Sequence, residues 1–324
     1  MKYAIGVDLG GTRVKAGLVA ADGRVVRRVD ESTPADAGAG VVALHVARIV
    51  EELSATPDAA GALIGAAVGS PGLVDAEAGL VRLAPNLRNA AGDPWRDVPL
   101  LRLVRESLAE RSRVPLFLEN DVNAMVLAES AYGAGRGSKV LIGMTLGTGV
   151  GGGIVIDGKV HRGSTGTAGE VGHVTVVPNG PRCGCGNDGC LEALVGSEGL
   201  VARARSALDG ADPSMLRDRV DPLTPMSIAH AAEAGDVLAR VVFEETGRYI
   251  GIVLAGVANL LNPDVAVIGG GIATAGEELL FRHIRAEFRK RTFDVPRDAM
   301  RIVPAELGSD AGLIGCAAVA FRAA

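Results

Sequence analysis

The residues best equipped for chemistry lie in a short cysteine-rich block. Glu170-Val-Gly-His173 is followed by Cys183-Gly-Cys185-Gly-Asn-Asp-Gly-Cys190-Leu-Glu192. One histidine and three cysteines make a common closed, tetrahedral zinc set, and glycines between the thiols permit the turns that bring them together. Three cysteines cannot all pair internally, and Cys183 and Cys185 are too close in sequence for an easy mutual bridge. Zinc bound by His173, Cys183, Cys185 and Cys190 is therefore expected, against free thiols as the alternative. A closed ligand set implies a structural metal that folds the loop. Glu170 and Glu192 flank it, so the metal would also hold two hydroxyl acceptors in place. The fourth cysteine, Cys316, sits in an alanine-rich helical pattern and fits a small buried hydrophobe.

A second constellation is Leu116-Phe-Leu-Glu119-Asn120-Asp121-Val-Asn123. It reads as a strand ending in a polar triplet ahead of a helix. Asp121 could be only an N-cap, the commonest use of Asp at that point. Strand C-termini in α/β sheets also face the ligand crevice. There Asn120 would bind one sugar hydroxyl and Asp121 would take the proton from another. Phosphoryl transfer needs little more than a base, Mg²⁺ and clamps for the phosphates.

Glycine turns could supply the clamps. Asp8-Leu-Gly10-Gly11-Thr12 puts a carboxylate at a strand end and bare backbone at the turn. N–H groups there can approach a phosphate, Thr12 adds a hydroxyl, and Asp8 suits Mg²⁺ held through water. A plain hairpin with Asp at its end is the alternative. Gly147, Thr148 and Gly149 form a similar turn in Thr145-Leu-Gly-Thr-Gly-Val-Gly-Gly-Gly153. This stretch contains G-x-G-x-x-G, but a strand-like Ile154-Val-Ile follows where a dinucleotide fold requires a helix. Gly269, Gly270 and Gly271 follow the strand-like Val265–Ile268. They could let adenine or ribose lie against backbone, or merely form a strand–helix turn.

Particular elements must position these groups. Tyr3–Val7, Val14–Ala20 and Arg24–Asp30 are expected as strands joined at Gly10-Gly11 and Asp22-Gly23. Val41–Leu53 has helical spacing, Leu63–Val68 reads as a buried strand, and Leu100–Leu108 as a helix. Pro115–Leu118 is expected as a strand and Asp121–Tyr132 as a helix. The pattern then restarts. Ile142-Gly-Met-Thr-Leu-Gly laid over Ile5-Gly-Val-Asp-Leu-Gly matches Ile, Gly, Leu and Gly in register. So long a period suggests two copies of one domain. Helices are expected over Arg240–Leu261, Gly276–Arg291 and Ser309–Phe321, and strands over Val265–Ile268 and Arg301–Ala305. Two hairpin-led α/β units with a cleft between them describe a duplicated actin/hexokinase-like (ribonuclease H-like) ATPase fold. The expected domains are 1–119 plus 309–324, and 120–308 carrying the zinc loop.

Composition sets limits. The chain has 324 residues, 48% hydrophobic and 22% charged, which excludes intrinsic disorder. Aromatics are only 3% and glycines number 45, so the core must be aliphatic and many turns tight. A net charge of −5 gives no footprint for nucleic acid or an anionic membrane. The N-terminal apolar stretch stops at Asp8, too soon for a signal peptide, so a cytoplasmic location is expected.

The ordered motifs resemble the ROK family of sugar kinases and repressors, most closely its bacterial glucokinases, over essentially the whole chain. They are Asp8-Leu-Gly-Gly-Thr12, Gly69-Ser-Pro-Gly72, Glu119-Asn-Asp121, Leu146-Gly-Thr-Gly149, Glu170-Val-Gly-His173, the Cys183–Glu192 block and Ile268-Gly-Gly-Gly271. The resemblance implies ATP-dependent phosphorylation of a hexose at its 6-hydroxyl, glucose first, with Asp121 as base. Asn120, Glu170, His173 and Glu192 would bind the other hydroxyls, Gly72 would close over the ring, and His173 would both ligate zinc and touch sugar. It also implies a homodimer or homotetramer. Alternatives are N-acetylmannosamine, N-acetylglucosamine, allose or fructose as substrate, or a non-catalytic sugar sensor. Arg88-Asn-Ala-Ala-Gly-Asp-Pro94 departs from the family pattern as a loop insertion near the sugar lip. The basic run Arg282–Arg291 is expected as a solvated helix face.

Overall fold

The computed structural model of the chain describes residues 1–108, 113–210, 212–217 and 220–323. The first strands are β1 (Tyr3–Leu9), β2 (Arg13–Ala20) and β3 (Val25–Ser32), then come α1 (Ala39–Ser54) and β4 (Leu63–Ser70). β1 pairs antiparallel with β2 from Tyr3↔Ala20 to Leu9↔Val14, and the Gly10 N–H donates to the Arg13 carbonyl at 2.9 Å to close the turn. As its spacing requires, α1 buries Val42, Val46, Ile49, Val50 and Leu53. Next are β5 (Leu73–Asp75), β6 (Leu80–Arg88), β7 (Pro94–Val98), α2 (Leu100–Ser107), β8 (Leu116–Asn120) and α3 (Asp121–Tyr132).

The second half runs β9 (Val140–Leu146), β10 (Val150–Ile156), β11 (Lys159–Val160), α4 (Leu191–Val195), α5 (Ser197–Leu208), α6 (Pro225–Glu233) and α7 (Val237–Leu261). It ends with β12 (Val265–Gly269), α8 (Arg282–Arg291), α9 (Asp294–Ala299), β13 (Arg301–Pro304) and α10 (Ala311–Ala323). The two large sheets have the orders β3-β2-β1-β4-β8 and β11-β10-β9-β12-β13. In each, the first strand of a hairpin continues into two parallel neighbours, β1 with β4 and β8, and β9 with β12 and β13. This repeated topology is the duplicated actin/hexokinase-like α/β fold expected from the sequence.

By contacts the chain divides into one unit of Met1–Gly137, Ile154–Ala168 and Glu306–Ala324 and another of Ser138–Gly153 and Gly169–Ala305. The expected boundary at residue 119 is therefore displaced. Helix α3 stays with the first unit because Ala124 and Ala128 pack with Leu313, Cys316, Ala317 and Ala320 of α10. A Cβ on Gly6 of β1 would overlap the Leu313 carbonyl, and one on Gly315 the Ala124 carbonyl, so two glycines permit this backbone-close packing. The chain enters α10 through a buried carboxylate. Glu129 is wholly buried and accepts from the N–H groups of Ala134, Glu306 and Leu307 at 2.9–3.2 Å.

Other expectations shift in detail. Arg88–Pro94 is the hairpin loop joining β6 and β7 in a three-stranded sheet β5-β6-β7. Asn89 organises it by accepting from the Ala91 and Asp93 N–H groups, and buried Trp95 donates to the Arg88 carbonyl at 3.0 Å. Gly276, at φ +76, separates a 3₁₀ turn over Gly271–Ala275 from a π turn over Glu277–Phe281, so α8 starts later than expected. The basic run is a solvated face: Arg282, Arg285 and Arg291 pair with Glu278, Glu277 and Glu287. No helix among the described residues is long and apolar enough to cross a membrane.

Candidate active site and metal centre

In the first unit the end of β1 holds Asp8, register partner of Lys15 on β2. Burial pushes the Asp8 carboxyl up, and Lys15 only partly opposes it. A Cβ on Gly312 of α10 would overlap this carboxylate, so glycine there makes room for it. The turn beyond is turned outward. Thr33 holds back two carbonyls, its hydroxyl donating to Gly10 at 2.7 Å and its N–H to Thr12 at 2.9 Å. The N–H groups of Gly11 and Thr12 have no acceptor among the described residues, the condition for receiving an anion.

Asp121 is the first helical residue of α3, and Asn120 is the N-cap: its Oδ1 accepts from the Asn123 N–H at 2.9 Å. The alternative of Asp121 as a simple cap is thereby excluded. Asn120 Nδ2 donates to the Gly72 carbonyl at 2.9 Å and to Asp121 Oδ1 at 3.1 Å, so its amide hydrogens are used inside the protein. Asp121 Oδ1 also accepts from the Val122 N–H at 2.8 Å. Burial first, and then the Asp8 charge, push the Asp121 carboxyl up to about 7. A carboxyl poised there can take a proton at neutral pH. Gly72, at φ +86, turns the chain between β4 and β5 where a Cβ would overlap the Leu83 carbonyl.

Sequence reasoning missed two residues of this unit. Glu119 is 1% exposed; Oε1 accepts from the Asn120 N–H at 3.0 Å and Asn123 Nδ2 at 3.2 Å, and Oε2 accepts from Arg162. An acid directly after Leu116-Phe-Leu118 was the available signal for Glu119. Nothing in the sequence points to Arg162 as its partner. Cys316 is wholly buried among alanines, as expected.

In the second unit the Gly147–Gly149 turn repeats the device. The Gly147 carbonyl accepts from the Ser197 N–H at 2.9 Å and the Ser197 hydroxyl at 2.8 Å. The Thr148 and Gly149 N–H groups have no acceptor among the described residues. A Cβ at Gly147 would meet nothing within 4 Å, whereas one at Gly149 would overlap the Glu192 carboxylate. Gly270, at φ +92, packs against the Leu146 backbone, while Gly271 is open on its Cβ side. Gly271, Ile272 and Thr274 line a cavity of about 140 Å³ with Pro225, Met226 and His230.

The donor atoms of His173, Cys183, Cys185 and Cys190 all lie within 4.8 Å of one another. Cys183 Sγ is 3.7 Å from His173 Nδ1, and Cys185 Sγ is 3.7 Å from Cys190 Sγ. Tetrahedral zinc with bonds of about 2.3 Å sets its ligands about 3.8 Å apart, so this set fits zinc. With Nδ1 turned to the thiols, His173 Nε2 is 3.9 Å from Glu170 Oε2. Burial raises the Glu170 carboxyl, His173 opposes this, and Glu192 adds to it. Glu192 ties the cluster to the glycine turn: Oε2 accepts from the Val150 N–H at 2.9 Å and Oε1 lies 3.7 Å from Cys183 Sγ.

Residues 4–323 match the ROK family. A glucokinase of Thermotoga maritima is 36% identical over 97% of this chain and 96% of its own length. The DNA-binding transcriptional repressor Mlc of Escherichia coli is 31% identical over 78% of this chain and 59% of the repressor. Among solved structures, a ROK family glucokinase from Streptomyces griseus in complex with glucose and AMPPNP superposes with a TM-score of 0.80 at 34% identity, covering 99% of both chains. With two glycine turns, a buried acid pair and a Cys₃His cluster in the family's order, and a family match over residues 4–323, the chain belongs to the ROK family.

Proposed function

We propose that the protein is an ATP-dependent hexose kinase that phosphorylates the 6-hydroxyl, with glucose as the first substrate to test. The observation that carries this reading is Asp121. It is a buried acid held by Asn120 and the Val122 N–H, with a pKa of about 7, beside a second buried acid. A sugar sensor has no use for a base tuned to neutral pH. The similarity to glucokinases along nearly the whole chain supports the same class.

Asp121 accepts the proton of the sugar hydroxyl as that oxygen attacks the γ-phosphorus; the bond to the β,γ-bridging oxygen breaks, ADP leaves with its electron pair, and the proton ends on the Asp121 carboxylate. Each unit offers N–H groups suited to phosphate oxygens, Gly11 and Thr12 in the first and Thr148 and Gly149 in the second. Two buried acids, Asp8 and Asp121, carry more negative charge than their surroundings neutralise. Asp8 therefore suits a divalent cation, which when bound with ATP would offset charge on the phosphates. His173 Nε2 and Glu170 meet further sugar hydroxyls, and His173, Cys183, Cys185 and Cys190 would hold a zinc that fixes the orientation of the His173 ring. Glu192, already bonded to Val150, holds this loop and offers its remaining acceptor capacity to the sugar. Gly271 and the cavity beside it accommodate the adenosine.

The test is ATP consumption coupled to a panel of hexoses and N-acetylhexosamines. Turnover with glucose exceeding the N-acetyl sugars is expected. A response no greater than the sugar-free rate across the panel would refute the kinase reading in favour of a sensor.

A further inference from the structure

Strand β8 carries an acid where an apolar residue would otherwise continue the run. A buried carboxylate is costly unless its charge is paired and its lone pairs are filled. Glu119 meets both conditions with donors on either side of Asp121 in sequence: the Asn120 N–H, the Asn123 amide and Arg162. Among the described residues Asn123 Oδ1 is buried without a partner, and its side chain is held through this carboxylate alone. Asn120 in turn caps α3 and donates to Asp121 Oδ1. A continuous series of bonded groups thus runs from Arg162 through Glu119 and Asn120 to Asp121.

Arg162 is itself anchored. It follows β11, and its carbonyl accepts from the Ala168 N–H at 3.0 Å, closing the loop that leads through Gly169 to Glu170. Glu119 is its ion-pair partner, and its Nε is buried without a hydrogen bond among the described residues. Among the described residues, Glu119 is the one carboxylate that pairs with this guanidinium.

We propose that Arg162 is a positioning residue for phosphoryl transfer. By orienting Glu119 it fixes the turn at Asn120, and so the angle at which Asp121 meets the sugar hydroxyl. The inference rests on the kinase reading above. A displacement of about 1 Å at a reacting group is enough to cost about 10²-fold in rate. Ground-state contacts with sugar and nucleotide are left in place.

Three variants test it: Arg162→Met, which removes the guanidinium; Arg162→Lys, which keeps a charge; and Arg162→Met with Glu119→Gln, which removes both charges. For Arg162→Met, kcat should fall about 10- to 100-fold, with sugar and ATP KM within about threefold of wild type, and Arg162→Lys should recover part of the loss. The double variant leaves no unpaired buried charge, so its thermal stability should recover while kcat stays low. Recovery of stability and kcat together would reduce the pair to a structural role and overturn the proposal. Amide exchange gives a readout without turnover. The Asn120 and Val122 N–H groups should exchange at least about tenfold faster in both Met variants, with Val265–Ile268 unchanged in the double variant. Unaltered exchange at Asn120 and Val122 would overturn the proposal whatever the kinetics. A wild-type protein inactive on every hexose would instead overturn the kinase reading.

Discussion

Asp121→Asn should disable the protein and stabilise it at once. The amide keeps an oxygen where Asp121 Oδ1 accepts from the Val122 N–H and Asn120 Nδ2, so the local geometry survives. What disappears is the ionisation. Asp121 binds its proton more tightly in the folded protein, with its pKa raised from 3.8 to about 7. Between those values the folded state holds a proton that the unfolded chain has released, so stability falls as pH rises and levels off above about 7. At 1.36 kcal/mol per pH unit this displacement corresponds to a loss of about 4 kcal/mol. Asparagine escapes it. Denaturant titrations should find the variant close to wild type at pH 4 and more stable at pH 8 by up to about 4 kcal/mol. Over the same range wild-type kcat/KM for sugar should rise with pH and flatten above about 7, as the base ionises. The variant's kcat should be about 10²- to 10⁴-fold lower, with sugar affinity much less affected. A variant less stable than wild type at pH 8 would refute the burial argument. Turnover within a few-fold of wild type would refute Asp121 as the base.

Other expectations are independent of that residue. Metal analysis should return about one zinc per chain; none, with sugar binding intact by calorimetry, would remove the structural role. Cys183→Ser should weaken sugar binding more than nucleotide binding, because Glu192 and His173 both contact the cluster. Gly147→Val should fold normally and lose ATP affinity while still binding sugar, since a Cβ there meets nothing. Gly149→Val should damage both, because its Cβ overlaps the Glu192 carboxylate; equal effects of the two substitutions would contradict this distinction. Glu129→Ala should cost about 2–4 kcal/mol by leaving the Glu306 and Leu307 N–H groups unpaired, read as a lower denaturation midpoint.

Most strands of the two large sheets were legible as apolar runs ended by glycine or a polar residue, and the Ile5/Ile142 repeat gave away the duplication; charged β3 was legible through the Asp22-Gly23 turn before it, and two-residue β11 was not legible. The three-stranded sheet was not. β6 contains Pro85, which argues against a strand, and its pairing with β7 jumps register between Ala84 and Arg88 to accommodate it. The metal ligands were legible because they lie close together in sequence. Arg162 and Glu119 were not, since their pairing depends on a loop returning to β8 from beyond β11. Asn120 rather than Asp121 as the cap is a difference of one residue, which spacing alone cannot resolve.

The packing of α10 against β1 has a consequence for biosynthesis. Strand β1 leaves the ribosome well before α10, the helix that covers it with the Leu313 carbonyl lying on Gly6. At about 5–20 residues per second, translation separates the two by about 15–60 s. Through that interval the nascent chain has β1, β2, β4 and α3 but lacks α10, which completes the burial of Ala4, Val19 and Ala67. The second unit has all its residues earlier, by Ala305. Maturation therefore runs against the order of synthesis: the unit whose first strands are made earlier waits for α10, after the other unit has all its residues.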